Sequence, residues 1–218
     1  MASKAAIWNL AVSHLLGTST ITSTTPVDTN EKRVCNSFYE QALKTTLEDH
    51  DWRFASKEIT LSLESGTPPG TWAYHYAYPT DCIVPREIVV PRIANRPVVA
   101  GAGYYPESEQ PYAPRPIAYE VWLNEAEDSK VIATDQKDAC LRYTVYISSV
   151  ESLLPETFVL ALSYKLAYFI CLGLTGNPEL KQSMQADYLM AMNLAKSVNS
   201  AHSYKDPHYE ADWVRARG

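Results

Sequence analysis

Five histidines, His14, His50, His75, His202 and His208, are the first side chains to weigh for catalysis or metal binding. His202 and His208 stand near Asp206, Glu210 and Asp212, which are ligand types. A metal site needs such ligands held in place, and this stretch has no core pattern, so no metal is expected. The chain contains no Gly-x-Ser-x-Gly elbow for acyl transfer and no Gly-x-x-x-x-Gly-Lys-Ser/Thr loop for phosphate. Glu120, Glu125, Glu127 and Asp128 supply carboxylates that glycoside hydrolysis would need in pairs. The plainer reading of the same residues is a charged hairpin turn, Asn124–Ser129. Cys35, Cys82, Cys140 and Cys171 have no paired spacing, so they read as free, mostly buried thiols of a reducing compartment. No catalytic residues and no cofactor are expected.

Composition narrows the class further. The 218 residues suffice for one large domain or two small ones, and 46% hydrophobic with 20% charged residues indicates a globular chain. A net charge of −6 argues against a protein that grips nucleic acid by its phosphates, and Arg215 with Arg217 is a weak basic patch. Fifteen Tyr against four Phe, with 14 Pro, favours surfaces that are half buried and half wet, as between subunits. The N-terminal apolar stretch is interrupted by Asn9, Ser13 and His14, so it does not read as a signal peptide. The longest apolar run, Phe158 to Leu174, is shorter than the ~20 residues of a membrane span and reads as a buried central helix.

The elements that would position these residues follow from periodicity. Residues 4–16 read as a helix ended by Gly17. A second helix is capped by Asp28 with Glu31 and ends in the cluster Glu48–Asp51. From Trp52 the period changes to two. Ile59, Leu61 and Leu63 mark a strand, and Trp72, Tyr74, Tyr76 and Tyr78 mark an aromatic-faced one. That face is open to three readings: a β-layer core, a subunit interface or a base-stacking platform. Ile83–Ile93, broken by Pro85 and Pro91, is a loop or edge strand. Residues 101–116 form an irregular Pro/Tyr arm. Short strands return at 118–123, 131–134 and 141–147. A helix opens with Pro155 in its first turn and stops near Gly176; Asn177-Pro178-Glu179 starts another. The expected fold is α+β. Residues 1–51 and 152–203 form one helical bundle around an inserted β-domain, 52–151, with an arm at 84–116 and a tail at 204–218. Interfacial aromatics, an arm and an unpacked tail are the profile of an assembly component.

Several segments resemble the head-to-tail adaptor of short-tailed bacteriophages, also called tail tubular protein A or packaged-DNA stabilisation protein. They stand in family order: Leu10-Ala-Val-Ser-His-Leu-Leu-Gly17, then Leu47-Glu-Asp-His-Asp-Trp-Arg-Phe-Ala55, then Trp72-Ala-Tyr-His-Tyr-Ala-Tyr-Pro-Thr-Asp-Cys82. Ile132-Ala-Thr-Asp135 and Leu141-Arg-Tyr-Thr-Val-Tyr-Ile147 resemble the strand pair before the helices. The helix Pro155–Ala167, Leu174-Thr-Gly176 and the terminal Trp213-Val-Arg-Ala-Arg217 complete the set. Residues 84–116 match no motif of the family.

The resemblance implies a non-enzymatic virion protein, assembled in the host cytoplasm and located at the head–tail junction. It implies a homo-oligomeric ring of about twelve copies whose helical bundle forms the ring below the portal protein. The ring would extend the DNA channel, let packaged DNA pass without specific binding, and carry the tail nozzle and tail fibres, with no membrane involved. On this reading Tyr204, Tyr209, Trp213, Val214, Arg215 and Arg217 form a portal-binding tail, with Trp213 as anchor and Arg215 as its charged partner. Trp72, Tyr74, Tyr76, Tyr104, Tyr105 and Tyr112 would serve the tail-side or intersubunit interface. The competing expectation is a carboxylate-based peptidoglycan hydrolase using Glu120, Glu125 and Asp128.

Overall fold

The structure is a computed structural model that describes residues 3–17, 21, 29–89, 117–147 and 151–201. The fold is mixed α+β. Its helices are α1 (Lys4–Leu16), α2 (Asn30–Glu48), α3 (Glu156–Thr175) and α4 (Pro178–Ala201). Its strands are β1 (Ser56–Thr60), β2 (Tyr74–Ala77), β3 (Cys82–Val89), β4 (Tyr119–Leu123), β5 (Lys130–Thr134) and β6 (Cys140–Val145). The chain divides into two compact units, a helical one of residues 1–42 and 152–218 and a β unit of residues 43–151. The first boundary therefore falls inside α2 and not at the helix end near residue 51. The physical reason is that the last turns of α2 bond to the β unit. The tail 204–218, the arm from 90 to 116 and the expected cap Asp28 lie outside the described residues.

In the helical unit the caps follow local chemistry. Ser3 Oγ accepts from the Ala6 amide at 3.2 Å, and Gly17, at φ +75°, donates its N–H to Ser13 O. Pro155 is the residue before α3, one position earlier than a first-turn proline, and Gly176 closes that helix at φ +65°. Asn177 Oδ1 caps α4, accepting from the amides of Glu179 and Leu180 at 2.9 and 3.2 Å.

Both α1 and α4 pack against α3. The His14 ring stacks on Tyr164 with centroids 4.0 Å apart, and its Nε2 lies 3.1 Å from Ser163 Oγ. The Lys165 ammonium sits over the Tyr188 ring at 4.4 Å. Asn9 fastens the chain beyond α1 by bonding both the N–H and the C=O of Ile21. The α3 helix is longer than the apolar run in the sequence. By length and composition it could cross a membrane, so length does not exclude a span. Its Ala161, Leu162, Leu166, Ala167 and Ile170 are fully buried within the protein, which fits a core helix.

The β unit contains two three-stranded antiparallel sheets, ordered β1-β6-β3 and β2-β5-β4. Their facing sides enclose one core of Leu61, Tyr76, Ile88, Ile132, Leu141 and Tyr143. β3 carries the first residues of the expected arm. It is an edge strand, and register shifts at Cys82/Val84 and Pro85/Glu87 accommodate Pro85. Those bulges aim Arg86 at the end of α2. Its Nη2 donates to the carbonyls of Leu47 (3.2 Å), Glu48 (3.2 Å) and His50 (2.7 Å), and its Nε donates to Thr144 Oγ1 (2.8 Å). The Trp52 indole N–H donates to Thr46 O at 2.9 Å. Carbonyls that a helix end leaves unpaired are thus satisfied from the β unit.

Two outcomes follow. Arg86→Met should destabilise the protein by about 2–3 kcal/mol in urea unfolding, the scale of lost charge-assisted bonds. Burial holds the His14 imidazole below its ordinary value, with Asp187 opposing. Below pH ~6.5 the unfolded chain then binds more protons than the folded one, so stability falls as pH drops through that window. His14→Phe, which preserves the stack on Tyr164, should flatten that loss in thermal melts run from pH 7 downward.

Candidate functional site

The outer face of the β2-β5-β4 sheet brings together His75, Glu120 and Trp72 among the candidate residues. Cross-strand partners share a face, so His75 and Glu120 flank Ala133, and Ala77 and Trp122 flank Val131. A loop covers this face. It first pairs along β2, where Glu64 N–H bonds His75 O and Ala77 N–H bonds Ser62 O, both at 3.0 Å. It then crosses to β4, where a Cβ placed on Gly70 would lie 3.8 Å from the Trp72 ring and 3.9 Å from the Trp122 ring. Gly66 starts the crossing at φ +120°, a conformation that side chains rarely adopt.

The loop does not seal the face. A cleft of about 370 Å³ remains between it and the β4–β5 hairpin. Val131 and Leu123 line the cleft together with His75, Glu64 and Glu125. His75 is 7% exposed, and a Cβ on Gly66 would stand 3.9 Å from its Nε2.

The expected carboxylates have separate settings. Glu125 lines the cleft. Glu120 Oε2 accepts from two indoles, Trp72 Nε1 at 3.0 Å and Trp122 Nε1 at 2.9 Å. Asp128 belongs to the hairpin turn. Asn124 Nδ2 donates to its Oδ1 at 2.7 Å, and Asn124 Oδ1 accepts from the Asp128 amide. Bonds from Asn124, then Ser129, hold the Asp128 carboxyl below its ordinary value, which disfavours it as a general acid. Glu127 holds the turn at φ +57°. The hairpin-turn reading of this cluster is the one its hydrogen bonds describe.

The aromatic strand needs correction. Tyr76 is 2% exposed and sits in the core of the β unit, its hydroxyl donating to Gln136 O at 2.8 Å, so it forms no intersubunit surface. Tyr74 packs partly against the same core. Their face is the inward one because the second sheet closes over it. Trp72 is half-buried on the other side. Tyr104, Tyr105 and Tyr112 lie outside the described residues, as do Tyr204, Tyr209, Trp213, Val214, Arg215 and Arg217. The tyrosine surplus has an internal use. Tyr119 donates to Pro85 O (2.9 Å), Tyr78 to Ile83 O (3.3 Å) and Tyr143 to Asp81 Oδ1 (2.7 Å). The first two hydroxyls bond carbonyls of the bulged β3. Leu63, expected to face the core with Ile59 and Leu61, is 64% exposed because β1 ends at Thr60.

His202, His208, Asp206, Glu210 and Asp212 lie outside the described residues. His50 meets the Trp52 ring edge-on, with centroids 5.0 Å apart. The four cysteines are free, with Cys35, Cys140 and Cys171 buried. Burial, aided by Glu31, pushes the Cys35 thiol up to about 12, and burial raises Cys82 as well, so neither is a ready nucleophile. Among the described residues no group of three His, Cys, Asp or Glu is placed to hold a metal ion. His75 was among the histidines weighed from the sequence, but Glu64 was hidden from motif reading. Their signal was the loop Gly66-Thr-Pro-Pro-Gly70 set between an acid and a histidine.

No protein-family model matches the sequence, and no curated protein matches it.

Because Glu127 serves the turn, Glu127→Gly should relieve its left-handed backbone and raise stability by about 0.5 kcal/mol, read as a higher urea midpoint. A loss of stability would show that the side chain matters more than the backbone.

Proposed function

We propose that this chain is a structural virion protein, the head-to-tail adaptor of a short-tailed phage. It forms a ring of about twelve copies below the portal, extends the DNA channel and carries the tail nozzle. The order of the resembling segments suggests the role, and the outer surface of the helical unit supports it most directly. Met190 is 71% exposed, and Leu189 and Leu194 stand beside it on the side of α4 away from its buried stripe. No charged residue occurs between Asp187 and Lys196. On α1, Leu10 and Leu16 are exposed as well. Apolar patches of this kind mark association sites. A closed ring joins two different surfaces of each copy, and α1 and α4 offer two.

Charge fits the same role. At −6 per chain a ring would carry on the order of −70, and an acidic wall lets DNA slide without sticking. On this reading the tail 204–218 binds the portal, with Trp213 as anchor. The role needs no catalysis, cofactor or membrane.

Light scattering of the chain with its cognate portal tests this. The portal peak should gain the mass of about twelve chains. Met190→Glu combined with Leu194→Glu should leave the helix content unchanged and prevent ring formation, and removal of 204–218 should abolish portal decoration. A portal peak of unchanged mass would sink the proposal.

A further inference from the structure

We infer that the cleft on the outer face of the β2-β5-β4 sheet receives an arginine side chain from a partner polypeptide. Its polar side chains supply acceptors without a cation to meet them. The carboxylates of Glu64 and Glu125 line it, and no Lys or Arg does. His75 adds a third group. The residue is 7% exposed and lines the cleft, and its ring makes no hydrogen bond among the described residues. Its ring nitrogens are left open to the cleft, where an occupant with N–H donors can meet one of them.

The guanidinium group answers this set. It carries five N–H donors spread over a planar fork, so it can serve acceptors that do not converge on one point. An ammonium is a compact point charge and matches separated acceptors less well. The apolar floor of Leu123 and Val131 suits the aliphatic stem of the same side chain. The volume, about 370 Å³, is near the lower end of small-ligand pockets, about 300–1,000 Å³, and fits one side chain better than a large ligand. A metal ion is the poorer occupant, since no three ligand side chains converge among the described residues.

Saturation-transfer NMR on the full chain with acetyl-Gly-Arg-Gly-amide tests the site and tolerates both weak binding and a large assembly. Saturation should reach the arginine methylenes. The citrulline peptide, of the same shape without the charge, should bind at least about tenfold more weakly, and so should the lysine peptide. Glu64→Gln with Glu125→Gln, at surface positions that do not hold the core, should weaken the arginine peptide to the same degree. Equal binding of arginine and citrulline, equal binding of lysine, an unaltered response in the double variant, or no saturation at millimolar peptide would each overturn the inference. The inference stands apart from the adaptor role. That role places portal binding in the tail, so the double variant should still decorate portals fully.

Discussion

The guanidinium of Arg86 sets the geometry of the β unit. A helix ends with carbonyls that have no partner, and the last turns of α2 end inside this unit. One side chain from a bulged edge strand collects three carbonyls there and, through its Nε, the Thr144 hydroxyl of β6. The cation also complements the negative end of the helix dipole. The bulges of β3 follow from the same requirement. A regular strand with Pro85 in it would lose ladder bonds and aim residue 86 differently. Arg142 reinforces the region more weakly. Its ion pairs to Glu87 (2.9 Å) and Asp51 (3.4 Å) are partly exposed and screened by solvent.

The irregular β3 also takes donors from the tyrosines. Tyr78 and Tyr119 bond its carbonyls, while Tyr143 and Lys57 share the Asp81 carboxylate. A phenylalanine would fill the same volume without those bonds. The compositional bias toward tyrosine therefore reflects how two short sheets are joined as much as any surface contact.

Much of the fold was legible because local chemistry and tertiary demand agreed. Gly17, Gly176 and Asn177 sit at the helix ends that their types announce. The aromatic strand was harder. Period two tells which residues share a face, but both faces of this sheet are covered, one by the second sheet and one by the 62–70 loop. Alternation alone does not say which cover is a core and which leaves a cleft. Tyr76 accordingly stood open between a core and an interface. The domain boundary was hidden for a similar reason. Nothing in the sequence around Ala42 marks a break, because the helix continues and only its partners change. Arg86 was hidden because its role depends on a bulge register.

The two units carry different kinds of exposed chemistry. The helical unit shows uncharged leucine and methionine on helix surfaces, which associate through area and shape with little demand on direction. The β unit shows a cleft of carboxylates and imidazole, which demands a charge of one sign in one geometry. On the adaptor reading this division suits the task. Contacts among identical copies recur at every joint and are best made by packing. A contact with a different protein must reject wrong partners, and misplaced or absent cations leave buried acceptors unmet. Backbone pairing with Ala133 of β5 and with Glu64 fixes His75 on that sheet.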